Sequence, residues 1–100
     1  MQLTNEFQPI RDWAQDKGIY EKGDAKTQFI KLSEEMGELA MSLLKKNDEE
    51  FKDAIGDCVV VLTNLAKLNG HNIEDCINGS YDVIAKRKGQ MINGTFVKEG

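Results

Sequence analysis

Apolar positions recur at spacings of three and four along most of the chain. Phe29, Leu32, Met36, Leu39 and Leu43 form one such stripe, and Phe51, Ile55, Cys58, Leu62 and Leu65 form a second. Alternation between three and four places these residues on one face of an α-helix. The pattern predicts four helices. The first covers about Phe7 to Lys17, with Phe7, Ile10, Trp13 and Ala14 on one face, Pro9 in a first turn and Gly18 as C-cap. Ile19–Gly23 is expected as a loop. The second helix covers about Ala25 to Lys46 behind an Asp24 N-cap, with Lys45 and Lys46 in the last turn, where cations suit the helix dipole. The third covers about Glu49 to Asn69, capped by Asp48 and ended by Gly70. The run Val59-Val60-Val61 favours strand, but the stripe passes through it, so it is read as helix buried on more than one side. The fourth covers about Ile73 to Lys88, capped by Asn72, with Asp75 in a capping-box-like position and Gly89 at its end. Asn93-Gly94, between Met91-Ile92 and Thr95-Phe96, predicts a short hairpin. The expected fold is all-α, a four-helix bundle-like domain with a small C-terminal β-hairpin.

Composition narrows the class. The chain has 100 residues, the size of one domain, and a core this small makes self-association an expectation. The third helix, apolar beyond one stripe, also asks for a second partner. Basic residues number 13 and acidic residues 17, giving a net charge of −4. That balance argues against a nucleic-acid polymer as partner. No stretch approaches the ~20 apolar residues of a membrane span. The first residues lack the apolar core of a signal peptide, so the expected compartment is the cytoplasm, with Cys58 and Cys76 as free thiols.

The position of the acids changes the picture more than their number. On the second helix, Lys31, Glu35, Glu38 and Ser42 make a polar stripe at the edge of the apolar face, and Glu34 points further out. On the third, Glu50, Asp53 and Asp57 make a similar edge. A short turn at Lys46–Asp48 folds the two helices antiparallel, which brings the acid edges to comparable heights. Carboxylates gathered there repel unless a cation joins them. Oxygen-only ligands suit Mg²⁺ or Mn²⁺ rather than zinc. The competing reading of such acids is a solvated helix face. Trp13 has two readings as well, a base-stacking residue or the apolar anchor of the first helix. Lys86, Arg87 and Lys88 read either as phosphate contacts or as dipole partners. Gly37 and Gly56, beside the acids, read as sites of close approach or of tight packing.

The segment Ser33-Glu34-Glu35-Met36-Gly37-Glu38-Leu39-Ala40, followed by Ala54-Ile55-Gly56-Asp57 and an apolar run, resembles the MazG-like branch of the all-α nucleoside triphosphate pyrophosphohydrolases. The tail from Arg87 to Lys98 resembles that of small MazG-like proteins of bacteria and phages. The family pattern is EExxE on one helix and ExxD on the next. EExxE is intact as Glu34, Glu35 and Glu38. In ExxD, Asp57 matches, but Ala54 stands where the pattern has Glu, and Asp53 lies one residue earlier. The resemblance implies one MazG-like domain over residues 1–100. It implies hydrolysis of a nucleoside triphosphate to the monophosphate and pyrophosphate, with Glu34, Glu35 and Glu38 as catalytic residues. Glu35, Glu38, Asp53 and Asp57 would hold Mg²⁺. Lys31, Lys86, Arg87 and Lys88 would take phosphates, and Trp13, Asn78 and Asp82 the nucleoside. It also implies a homodimer or homotetramer in the cytoplasm, the host's for a phage protein. The alternative is a catalytically impaired nucleotide-binding relative or a purely structural helical dimer.

Overall fold

A computed structural model describes residues Met1 to Gly100. It contains five helices, α1 (Gln8–Asp16), α2 (Ile19–Lys22), α3 (Ala25–Lys45), α4 (Asp48–Leu68) and α5 (Ile73–Ile84). A two-stranded antiparallel hairpin follows, β1 (Gly89–Ile92) and β2 (Thr95–Lys98). The fold is all-α with a short C-terminal hairpin. No helix is long and apolar enough to cross a membrane.

Local chemistry explains most boundaries. Pro9 occupies the first turn of α1, where its missing N–H costs nothing. The Asp24 carboxylate accepts the Thr27 N–H at 2.8 Å and caps α3. The cap of α4 is Asn47 rather than Asp48: its side-chain oxygen accepts the Glu50 N–H at 3.1 Å, and Asp48 joins Glu49 and Glu50 in the acidic first turn. Val59-Val60-Val61 is helical, with Val61 buried. At the hairpin, Asn93 (φ 50°) and Gly94 (φ 83°) make the turn whose twist suits paired strands.

Further expectations are corrected. Ile19–Lys22 is a turn of helix rather than loop, and Tyr20 Oη donates to Asn64 Oδ1 at 2.6 Å, fastening it to α4. The last helix stops at Ile84 instead of Lys88, and Gly89 opens a strand rather than ending a helix. Residues 85–88 add three cations and no large apolar side chain, so nothing continues the packing face. Asn72 makes no side-chain cap bond.

The α3–α4 hairpin is the body of the molecule, and α1, α2 and α5 each pack against α4. The seam between α3 and α4 runs through Leu32, Glu35, Leu39 and Ser42 on one side and Ala54 and Val61 on the other. The apolar stripe of α3 is thus only half used. Leu32 and Leu39 are partly covered, while Phe29, Met36 and Leu43 are each more than half exposed. Periodicity identified the apolar face, but polar Glu35 and Ser42 took the closest positions.

At the opposite end, Glu74 in the first turn of α5 is wholly buried. It accepts Arg11 Nη1 and Nη2 at 2.7 and 2.8 Å and the Phe7 N–H at 2.9 Å. Arg11 Nε donates to Gln8 Oε1 at 3.0 Å. This paired-donor bridge fixes α1 to α5 across the end of α4. The guanidinium beside it lowers the Glu74 pKa to about 2.

Candidate metal centre

Glu35 and Glu38 lie one turn apart on α3, and Asp57 approaches them from α4. Carboxylate oxygens of the three lie within 4.8 Å of one another. Glu35 is only 6% exposed. Its Oε1 lies 3.4 Å from Lys31 Nζ, and its buried Oε2 has no hydrogen-bond partner. An anionic oxygen held out of water without a donor is costly. The three acids therefore need a positive species between them, and carboxylate oxygens alone fit a hard cation.

The electrostatics agree. The neighbouring charge of Glu35 raises the pKa of Glu38. Burial, then the charge of Asp53 and that of Glu35, raises Asp57. Cys58, next in sequence to Asp57, has its thiol pKa raised by burial and by the same acids. It is a protonated, packed side chain rather than a nucleophile.

A cavity of about 800 Å³ opens along this seam. Glu34, Glu38, Glu50 and Asp53 line it, with Ala54 in its wall and Lys45 its one cation. Gly37 also lines it. A side chain at Gly37 or Gly56 would meet nothing within 4 Å, so tight packing within the chain explains neither glycine.

The structure thus gathers Glu34, Glu35, Glu38, Asp53 and Asp57 at one seam, with Lys31 at its edge. Other residues singled out from the sequence lie elsewhere. Trp13 is half exposed on α1, whose buried face is Arg11 and Ala14. Asn78 is engaged by the N-terminal segment: its Oδ1 accepts the Leu3 N–H at 2.9 Å and its Nδ2 donates to the Leu3 carbonyl at 2.7 Å. Asp82 lies on α5, which touches α4 and not α3. Lys86, Arg87 and Lys88 follow the end of α5. Arg87 lines a separate shallow cavity with Asp75 and Ser80, and Lys88 lines one at the hairpin. In the sequence Lys45 has only the reading of a helix-dipole partner. The signal that it faces the acids is its position seven residues, two turns, after Glu38.

A 60-residue stretch is 47% identical to the "Uncharacterized 18.2 kDa protein in rep-hol intergenic region" of Haemophilus phage HP1 (strain HP1c1). The match covers 60% of this chain and 37% of that protein, so the chain spans well under two thirds of its relative. No solved structure matches. The family model for the MazG nucleotide pyrophosphohydrolase domain matches residues 24–92, from the cap of α3 into the hairpin. With both acidic helices inside that match, the chain belongs to the MazG nucleotide pyrophosphohydrolase domain family.

Proposed function

We propose that the protein hydrolyses a nucleoside triphosphate to the monophosphate and pyrophosphate, using Mg²⁺ (or Mn²⁺) held by Glu35, Glu38 and Asp57. The observation that carries this reading is the unpartnered, buried Glu35 Oε2 inside a three-carboxylate cluster beside an open cavity. Asp53, one turn before Asp57, is the fourth candidate ligand in place of the Glu missing at Ala54. When bound, the cation supplies positive charge to phosphate oxygens that the acids alone would repel.

The chain's own residues do the rest. Glu34, on the cavity wall, orients the attacking water and accepts its proton. The water oxygen bonds to the α-phosphorus as the bond from that phosphorus to the bridging oxygen breaks, and pyrophosphate leaves. Lys45 stands two turns, about 10 Å, from Glu38 along α3. It faces the same cavity and binds the β- and γ-phosphates. Lys31 holds Glu35 in its rotamer.

Self-association belongs to the same reading. The chain has a radius of gyration of 15.9 Å, against about 13 Å for a compact chain of this length. Exposed Phe29, Met36 and Leu43 on α3 make a face for a second copy, giving a homodimer or homotetramer.

Pyrophosphate release from a panel of nucleoside triphosphates under Mg²⁺ tests the proposal. Glu38→Gln is expected to reduce turnover by about 100-fold or more, beyond the effect of losing an outer partner of a metal ligand. Lys45→Ala is expected to weaken triphosphate binding by about 10-fold and leave monophosphate binding unchanged. Turnover of no nucleotide, with no stabilisation by Mg²⁺ plus nucleotide, would sink the enzymatic reading. Ala54 favours one second reading, nucleotide binding without turnover. Stabilisation by Mg²⁺ plus nucleotide without pyrophosphate release identifies it.

A further inference from the structure

The hairpin has no place to rest on its own chain. Neither strand touches any helix, and all eight strand residues are exposed. The pairing Met91↔Phe96 puts two apolar side chains on one face, and Ile92 and Val97 lie on the other. A lone two-stranded hairpin is marginal in water. Yet the sequence specifies this one closely. Asn93 and Gly94 take the positive φ values its turn needs. A side chain at Gly89 would collide with the Val97 carbonyl and the Phe96 ring. Such a hairpin is built to sit against something.

The same chain carries an apolar groove of about 520 Å³ between α4 and α5, lined by Leu62, Leu65, Ile73, Ile77, Tyr81 and Ile84. Charge matches the two. Residues 85–98 hold four cations, Lys86, Arg87, Lys88 and Lys98, and no acid. Helix α5, which forms one wall of the groove, holds two acids outside the Arg11–Glu74 bridge, Asp75 and Asp82, and no cation. We propose that the Gly89–Lys98 hairpin of one copy seats in the α4–α5 groove of a second copy, and that the exchange is reciprocal. One chain supplies both the unseated element and the open groove. A twofold pair therefore satisfies both at once and closes the assembly, which a foreign partner at either surface would not do. This contact is separate from the acidic seam and stands whether or not that seam turns over nucleotide.

Cys76 is exposed and lines the groove, which permits a direct test. Phe96→Cys is introduced in a Cys58→Ser background, and chains of two lengths, one extended by a tag, are mixed, equilibrated and oxidised. The expected products are disulfide-linked dimers, including the mixed-length pair, with Cys76 joined to position 96. An intrachain disulfide alone, showing the hairpin folded back on its own groove, overturns the proposal. So does the absence of any disulfide. In the otherwise native chain, Phe96→Asp should weaken self-association at least 10-fold by sedimentation with helical circular dichroism unchanged. Unaltered self-association overturns the proposal as well.

Discussion

Two glutamates out of reach of water, Glu74 and Glu35, show opposite solutions to the same problem. Glu74 sits at the α1–α5 end with a guanidinium and a backbone N–H on its oxygens, and its pKa falls to about 2. Glu35 sits at the α3–α4 seam with one oxygen near Lys31, the other bare, and two more carboxylates beside it. Those neighbours have their pKa values raised. One end of the molecule is electrostatically complete as folded. The other is left incomplete where a ligand would be received, the pattern expected when stability is given up for function.

Breaking the complete end should have the largest effect. Glu74→Ala leaves Arg11 buried and unpaired, so a loss of about 3–5 kcal/mol in urea unfolding is expected. Replacing both partners with apolar residues, Arg11→Met with Glu74→Leu, should cost less than either single change. A double mutant as damaged as the sum of the singles would contradict the buried-pair account.

The pH response should separate the two ends. Glu74 has a folded pKa of about 2 against an ordinary 4.5. Its stabilisation is therefore complete above pH 4.5 and is lost as pH falls towards 2. Glu38 and Asp57 have raised folded pKa values, so their ionised forms oppose folding, and acid relieves this cost. Without metal, Glu38→Gln should therefore melt higher than wild type at neutral pH. The gap should close as pH drops through the raised pKa. A variant that melts lower than wild type under chelation would refute the incomplete-seam picture.

Smaller changes sharpen the seam. Ala54→Glu restores the missing acid at a position only 3% exposed. It should tighten Mg²⁺ binding by calorimetry and lower metal-free stability. Asp53→Asn should weaken Mg²⁺ binding if Asp53 substitutes for that acid, and equal affinity would remove it from the ligand set. Lys31→Met should have the smallest effect, under about 1 kcal/mol in unfolding, because an exposed lysine contributes little to an ion pair.

The helices and the acid seam were legible because their signals are local. EExxE and Asp57 lie on adjacent helices joined by Lys46 and Asn47, so heptad-like spacing and a short turn suffice to oppose them. The Arg11–Glu74 bridge was illegible. Its partners are 63 residues apart, and an acid in a first helical turn already has a sufficient local explanation. The exposure of Phe29, Met36 and Leu43 was hidden for another reason: periodicity shows that a face is apolar, not what covers it. The end of α5 at Ile84 depends on where packing stops, which helix propensity does not encode. Lys45 was passed over because a cation in a last turn is ordinary.

The connection at Lys46–Asn47 makes the α3–α4 pair a lever. The acids stand some eight to eleven residues from that joint, an arm of about 12–17 Å at 1.5 Å per residue. Spreading the helices by about 10° would separate the opposing acids by roughly 2–3 Å over such an arm. That is about half the 4.8 Å within which the cluster lies. Any grip on a cation would thereby be geared to the helix crossing angle. Anything that wedges or clamps the open end, a neighbouring chain included, would tune ion affinity without touching a single carboxylate.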